Sequence, residues 1–449
     1  MHLIKNMITH LGTIFRRDSH KMSADRLDVV IFGATGFTGN CAVEKSVEFL
    51  SKVKWGIAGR NQSKLEGVRE RIGTKVSKDL SEIPIIIADV GDEESLKKMA
   101  EQAKVVVNCC GPYRHFGEAV VKACIAAGTH HVDVSGEPQY MERMQLEYDE
   151  AAREAGVYVV SACGFDSIPA DLGTLFHERH FEGVVNSVET YLVAKSTGPG
   201  ASLHYGTWES AIYGLAHANE LRSLRSKLFK ERLPSMKPSL KNRPIFHRAP
   251  VVRNAVCLPF LGSDRSVVMR SQRFLFETQK KRPVQVRTYM SVGTYFTALL
   301  FILAGAIFSL FTRFSLGRRL LLDYPKLFSF GFASHEGPSE EKMKNTKFTM
   351  WFQGAGWPEA LAEGEDQYAD PPTKKLVTKV SGTDFGYGNT AACILLCATT
   401  ILKEHSKMPG KGGVLAPGAA FGKTSLIDEL NKNDVFTFEV VSAKEDSQN

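Results

Sequence analysis

Four apolar residues, Val29 to Phe32, run without a break into the turn Gly33-Ala-Thr-Gly-Phe-Thr-Gly39, and an amphipathic stretch over residues 40–49 follows at once. A short, continuous apolar run suits a strand buried on both faces of a parallel sheet. Glycines at every third position then let the backbone turn sharply and approach a diphosphate, whose charge would rest on free N–H groups at a helix N-terminus. Strand, glycine turn and helix in this order predict a dinucleotide-binding Rossmann unit. Gly33, Ala34, Thr35, Gly36, Phe37, Thr38 and Gly39 are its expected cofactor-binding residues.

The rest of the first half extends the pattern. Residues 54–58 read as a second strand ending in Gly59-Arg60. An NAD site usually places an acid near this point for the ribose 2′-hydroxyl. Arg60 instead offers a planar cation suited to a 2′-phosphate, with Asn61, Ser63 and Lys64 close behind, so NADP(H) is expected rather than NAD(H). Residues 83–88 form a third strand ending at Asp89, which either faces the adenine edge or caps the helix that begins near Glu93. Strands follow at 105–108, 131–134 and 157–161. The fourth strand runs into Cys109-Cys-Gly-Pro-Tyr113, and Cys110, Gly111 and Pro112 fall where such sheets place ligands. The sixth opens onto Cys163-Gly-Phe-Asp-Ser-Ile-Pro-Ala-Asp-Leu-Gly173.

Together, the glycine fingerprint, the Asn108-Cys-Cys-Gly-Pro-Tyr113 loop and the Gly164-to-Gly173 segment resemble the saccharopine dehydrogenase-like oxidoreductases. The likeness extends from about Asp28 to the closing Gly412-Gly-Val-Leu-Ala-Pro-Gly-Ala-Ala-Phe421. It is closer to the branch of that name than to the lysine-pathway enzymes, and the trans-acting enoyl reductases of mycobacterial glycolipid synthesis look like further relatives. The resemblance implies an α/β fold: a Rossmann domain, an inserted α+β domain and a C-terminal segment that returns to the first. It also implies links to lipid droplets and membranes. The expected division is 1–26 as an amphipathic extension, 27–175 as the Rossmann domain, 176–400 as the second domain and 401–449 as the returning segment.

A nicotinamide cofactor carries the hydride, so the protein must hold the ring against a substrate and supply a proton. Tyr113, His115, Asp133, Glu137 and Asp166 are candidate donors near the expected cofactor face. Tyr113 and Asp166 follow the turns after the fourth and sixth strands, and are the catalytic candidates. The sequence shows no Ser/His/Asp triad and no metal-ligating cluster. Tyr191 and Lys195 match a Tyr-x-x-x-Lys pair, but they sit in a β-branched, alternating stretch whose strand geometry would separate them by about 13 Å.

Composition narrows the partners. Over 449 residues the net charge is +7, with the basic residues scattered or flanking apolar runs, so no nucleic-acid surface is expected. The eight cysteines are irregularly spaced and read as free thiols of a reducing compartment. In the N-terminal extension Leu3, Ile4, Met7, Ile8, Leu11 and Ile14 fall at helical spacing beside Lys5, Arg16 and Arg17. A membrane-surface helix, a mitochondrial presequence and an unstructured extension all fit. Residues 289–312 carry no charge and are flanked by arginines, and a second apolar run spans 320–333. The expected reading of 289–333 is a one-sided anchor on a membrane or lipid droplet; buried helices, a homodimer interface and a true span are the alternatives. The implied substrate is a lipophilic small molecule.

Overall fold

The computed structural model describes residues 26–360, 367–368 and 370–445; the expectations for residues 1–25 fall outside them. Six strands come first: β1 (Leu27–Phe32), β2 (Trp55–Gly59), β3 (Ile85–Ile87), β4 (Ala103–Asn108), β5 (His130–Asp133) and β6 (Tyr158–Val160). The second half adds β7 (Val184–Ser196), β8 (Leu203–His204), β9 (His247–Ala249), β10 (Ala255–Pro259), β11 (Gln285–Gly293), β12 (Ala333–Ser334), β13 (Thr346–Trp357) and β14 (Lys374–Thr383). The chain closes with β15 (Gly413–Leu415) and β16 (Thr437–Glu445).

The first sheet is parallel throughout, in the order β15-β6-β5-β4-β1-β2-β3. Its order reverses between β1 and β4, where Val29 lies opposite both Trp55 and Val105. Such a reversal opens a crevice at the carboxyl ends of the strands, the usual ligand position in a doubly wound sheet. Val29, Val30 and Ile31 are fully buried, as the unbroken apolar run requires. The second sheet is mixed, in the order β16-β14-β13-β7-β11-β10-β9. Within it only β7 and β11 pair in parallel; the other neighbours are antiparallel.

Two long helices change partners between the sheets. Helix Ile168–His180 leaves β6 of the first sheet and packs on β7, β13, β14 and β16 of the second. Helix Gly388–Glu404 leaves β14 of the second sheet and packs on β4, β5 and the glycine-loop helix Phe37–Phe49 of the first. One hydrophobic core therefore runs through both units, from Val29 and Val105 through Ile394 and Leu172 to Phe352 and Val380. The fit is tight: a Cβ on Gly173 would stand 2.3 Å from the Phe352 ring, and one on Gly354 would stand 1.9 Å from Nε2 of His177.

Three expectations change. Residues 289–312 are not one apolar segment: residues 289–293 end β11, Gly293 turns at a φ of +86°, and only Tyr295–Thr312 is helical. Hydropathy alone misses the break, which Thr294 and Thr297 mark by a reciprocal capping box. The 320–333 run is likewise divided, into helices Ser315–Asp323 and Pro325–Phe328 and the short strand β12. At the C-terminus β15 pairs with β6, whereas β16 pairs with β14 of the second sheet, so residues 401–445 serve both units. Tyr191 and Lys195 do lie on a strand, β7, and form no helical pair.

Phe352 is fully buried at the junction of helix Ile168–His180 with β13. Phe352→Ala is expected to destabilise the protein by about 3–5 kcal/mol, seen as a lower urea midpoint. A midpoint within error of wild type would show that the two units do not share this core.

Candidate active site

The glycine loop is shaped by contacts that leave no room for side chains. Gly33 has a φ of +79°, and a Cβ there would sit 3.1 Å from the backbone of Cys109 and Cys110. A Cβ on Gly39 would lie 2.1 Å from the Gly33 carbonyl oxygen, so helix Phe37–Phe49 meets the strand end backbone to backbone. The helix has no side-chain cap and no acid in its first turn. Its first N–H groups and positive dipole end thus face the crevice at β1, a ready anion site. Asn40, immediately after the last glycine, braces the loop by donating to the carbonyls of Ala34 (3.1 Å) and Gly36 (2.8 Å). Arg71 donates in turn to Oδ1 of Asn40, which brings a second cation beside the loop.

Along the sheet edge, Arg60 is exposed beyond Gly59 and makes no hydrogen bond or ion pair with another described residue. Its charge reaches Cys110, whose thiol burial pushes up to about 11 against that cation. Asn61 caps the following helix by accepting from the Lys64 N–H (2.9 Å). Asp89 accepts from the Gly91 N–H (2.9 Å), and the cap of the next helix is Asp92. The capping alternative for Asp89 therefore belongs to its neighbour. Cys110 donates its N–H to Oδ1 of Asn108 (2.9 Å), which holds the Cys110-Gly111-Pro112 loop at the end of β4. Gly36 to Gly39, the free helix N-terminus, Arg60 and this loop fit a dinucleotide carrying a 2′-phosphate.

Opposite the loop stands a wall from the second unit. The Phe37 ring stacks on His204 at 4.8 Å and meets the edge of Tyr387 at 4.7 Å. The Tyr387 hydroxyl accepts from the His204 N–H (2.7 Å), and His204 Nδ1 accepts from the Gly206 N–H (3.1 Å), capping helix Tyr205–Ala216. Between the two units lies a cavity of about 1230 Å³. Its walls include Gly36, Phe37 and Thr38 of the loop, Gly111 and Tyr113, Gly136 and Glu137, Asp166, and the second unit's Leu192, His204, Met290, Leu300 and Phe301.

The five candidate donors separate sharply. Tyr113 is buried, and its hydroxyl donates to the Asn108 carbonyl (2.9 Å); burial and the nearby Asp133 charge hold its pKa well above the ordinary value. Glu137 caps helix Tyr113–Ala127, accepting from the N–H groups of Tyr113 (3.0 Å) and Arg114 (2.9 Å) and from Ser210 Oγ (2.8 Å). Asp133 is fully buried and accepts from the Ser135 N–H, Tyr140 Oη, Ser161 Oγ and the Ala162 N–H; burial pushes its carboxyl up to about 6. His115 is exposed, packs edge-on against Tyr213 (4.9 Å), and is not part of the cavity wall. Asp166 alone among the carboxylates considered from sequence opens into the cavity without a hydrogen-bond partner among the described residues. Desolvation by the surrounding protein raises its pKa.

Behind Asp166 lies a group that no local sequence signal reveals. Ser167 is buried at a φ of +108°, a conformation that costs a non-glycine residue about 1–3 kcal/mol and collects at functional sites. Its Oγ lies 3.0 Å from Oγ of Ser263, a cavity residue, and 3.4 Å from Oδ1 of Asp264. Asp264 is 3% exposed, and burial, then the charges of Asp166 and Asp171, push its carboxyl up to about 8. His204, Tyr387, Asn40 and Arg71 were also beyond local reading; only Asn40, adjacent to the last glycine, carried a positional hint.

Fold and site together define a Rossmann-type dinucleotide-binding protein with a second, α+β domain closing on the cofactor edge. Residues 29–160 match the family model described as the saccharopine dehydrogenase NADP binding domain, in agreement with the expected NADP(H) cofactor. The chain is 42% identical to the "Saccharopine dehydrogenase-like oxidoreductase" of Homo sapiens, over 93% of this chain and 98% of that protein. It is 40% identical to the "Lipid droplet localized protein" of Caenorhabditis elegans (90% and 96%) and 34% identical to the "Probable mitochondrial saccharopine dehydrogenase-like oxidoreductase" of Arabidopsis thaliana (92% and 96%). Among solved structures, the apo saccharopine dehydrogenase (L-Glu forming) of Saccharomyces cerevisiae shares the fold, with a TM-score of 0.51 and 15% identity over 93% of this chain and 100% of that one. The chain belongs to the saccharopine dehydrogenase-like oxidoreductase family.

Two measurements follow from this geometry. Arg60→Ala is expected to weaken NADPH binding about 10–100-fold, the loss of a charge-assisted contact, and to leave NADH binding unchanged. Equal effects on both cofactors in a titration would remove Arg60 from the phosphate site. Across neutral pH the folded chain keeps a proton on Asp264 that the unfolded chain has lost, so this group's contribution to stability falls as pH rises toward 8. Asp133, at about 6, and Asp171, at about 7, act in the same sense. The Tm of Asp264→Asn should therefore decline less steeply than that of wild type from about pH 6 to about pH 9. Parallel declines would contradict the raised carboxyl.

Proposed function

We propose that the protein is an NADP(H)-dependent oxidoreductase acting on a lipophilic substrate at the surface of a lipid droplet or intracellular membrane, with which it associates from one side. One observation carries the reading: a single cavity is lined both by the cofactor loop, Gly36 to Thr38, and by Leu300 and Phe301 of the most apolar helix. The cavity wall is mainly apolar, as expected of a site for a largely hydrocarbon ligand. The lipid droplet name of the nematode relative supports the location.

When bound, the dinucleotide supplies or accepts the hydride. The chain's own residues hold, orient and exchange a proton. Asp166 suits the exchange, being open to the cavity without a side-chain partner among the described residues, with its pKa raised by desolvation. Ser263, Ser167 and Asp264 form a buried hydrogen-bonded group behind it, from which a proton could be replaced. Tyr113, Asp133 and Glu137 support the site as structural members, because their polar atoms are already engaged.

The test is NADPH oxidation by purified protein in the presence of fractionated cellular lipid. Asp166→Asn is expected to lower turnover by about 10²-fold or more while leaving NADPH affinity unchanged. Unchanged turnover in the variant would dismiss Asp166 as the proton donor. A second reading is a cofactor-binding droplet protein without turnover, favoured by the structural commitment of three of the five candidate donors. It predicts tight NADPH binding and no lipid-dependent oxidation with any fraction.

A further inference from the structure

The apolar helix Tyr295–Thr312 lies along the protein rather than projecting from it. Near its start Ala298 is buried against Val256 and Leu258 of β10. Near its end Phe308 packs on Trp208 at 4.8 Å, and Thr312 is buried. At about 1.5 Å per residue its 18 residues are about 27 Å long, close to the ~30 Å hydrocarbon thickness of a bilayer. With both ends packed on the same body, however, it cannot cross one without leaving that body. The outward stripe is Phe296, Leu299, Leu303, Ile307 and Leu310, all exposed. Cations mark both ends: the Arg248 guanidinium lies 5.5 Å from the Tyr295 ring, and Arg313, Arg318 and Arg319 follow Thr312.

Five side chains belong at once to the cavity wall and to the exposed apolar surface: Leu261 (88% exposed), Phe301 (56%), Phe332 (55%), Leu300 (49%) and Leu215 (41%). The cavity mouth is thus framed by the same helix that presents the apolar stripe. Resting on the function proposed above, we propose that the cavity is loaded sideways from an anionic phospholipid leaflet on which this helix lies, and that its substrate is a leaflet-resident amphiphile with a long alkyl chain. The reacting polar part lies deep, beside Asp166, Ser263 and Glu137, and the chain trails past Leu300 and Phe301 into the lipid. That orientation puts each end of the ligand against matching chemistry and keeps the chain out of water throughout entry. The arginines at both ends of the helix match the negative surface of the leaflet.

The test uses the full-length protein, phosphatidylcholine vesicles containing phosphatidylserine, and two photoreactive palmitic acids placed in those vesicles. One carries its diazirine near the carboxyl group and the other at the chain terminus. The carboxyl-proximal probe should label peptides lining the deep end, around Asp166 or Ser210, and the terminal probe should label helix Tyr295–Thr312. Leu261→Arg removes little packing, because its side chain is almost fully exposed, and it places a charge at the mouth. That variant should float with vesicles as wild type does yet lose deep labelling at least tenfold, and Phe301→Arg should repeat the result at an unchanged Tm. Leu299→Glu with Leu303→Glu, on the outward stripe, should abolish flotation and vesicle-dependent labelling together. Deep labelling that survives Leu261→Arg, or that is as strong with monomeric probe and no vesicles, means entry from water and overturns the inference. So does a homodimer that buries the stripe and does not float. Lipid-dependent NADPH oxidation that persists with detergent-dispersed lipid in Leu261→Arg would leave the oxidoreductase reading intact while this inference failed.

Discussion

The arrangement of the whole molecule depends on the exchange of two helices between two sheets. Helix Ile168–His180 follows the last strand of the first half and covers the second sheet, and helix Gly388–Glu404 follows β14 and covers the first. Their N-terminal ends meet. The Phe165 N–H donates to Thr390 Oγ1 at 2.9 Å, Thr390 donates to the Phe385 carbonyl at 2.8 Å, and a Cβ on Gly164 would stand 2.7 Å from the Thr390 methyl. A buried core that runs through both helices leaves neither unit free to shift against the other without losing apolar contact along its length. Asp166 and Tyr387 stand beside these two helix starts, and so their separation across the cavity is set by core packing rather than by loop conformation.

That constraint also sets the electrostatics. Asp133, Asp171 and Asp264 crowd the junction, and the burial that makes the core continuous also withholds water from them, whereas Asp166 opens from it into the cavity. The guanidinium of Arg270 acts on Asp171, but burial dominates that group too. Carboxyls in such surroundings hold their protons toward neutral pH, and a neutral acid beside a cavity can give up a proton that an ordinary carboxylate would already have lost. The strained Ser167, linking Asp264 to Ser263, is maintained by the same over-determined packing.

What could be read from the chain alone follows the range of the interactions involved. The glycine turn was legible because its geometry is local: Gly33 needs its positive φ, and Gly39 is excluded from growing a side chain by a carbonyl six residues away. Arg60 and Asp166 could be named as candidates because they follow the carboxyl ends of strands that short apolar runs mark, Arg60 directly after β2 and Asp166 in the loop after β6. Asp264, His204 and Tyr387 were not, since each reaches the site from a distant element with no marker beside it. Tyr113 misled for a related reason. Its position at a strand's carboxyl end is catalytic in form, but its hydroxyl turns back to the Asn108 carbonyl, with the Tyr140 ring, distant in sequence, packed 5.6 Å away. The break between β11 and the apolar helix was visible in Gly293-Thr294 and Thr297, yet a charge-free run of 24 residues obscured it.

The same helix separates two kinds of apolar surface. Residues such as Ala298 and Phe308 bury their area against β10 and Trp208, and their role is internal packing. Phe296, Leu299, Leu303 and Leu310 stay largely exposed, although a helix needs only one apolar face to dock on its own body. A helix apolar all round, held flat by one face, leaves a continuous second face in water, and contiguous apolar patches of this kind mark surfaces that meet another apolar phase. Leu300 and Phe301 belong to this helix and also line the cavity that the cofactor loop borders, so the apolar surface and the cavity are contiguous. On the function proposed above, association and turnover would then share this one helix.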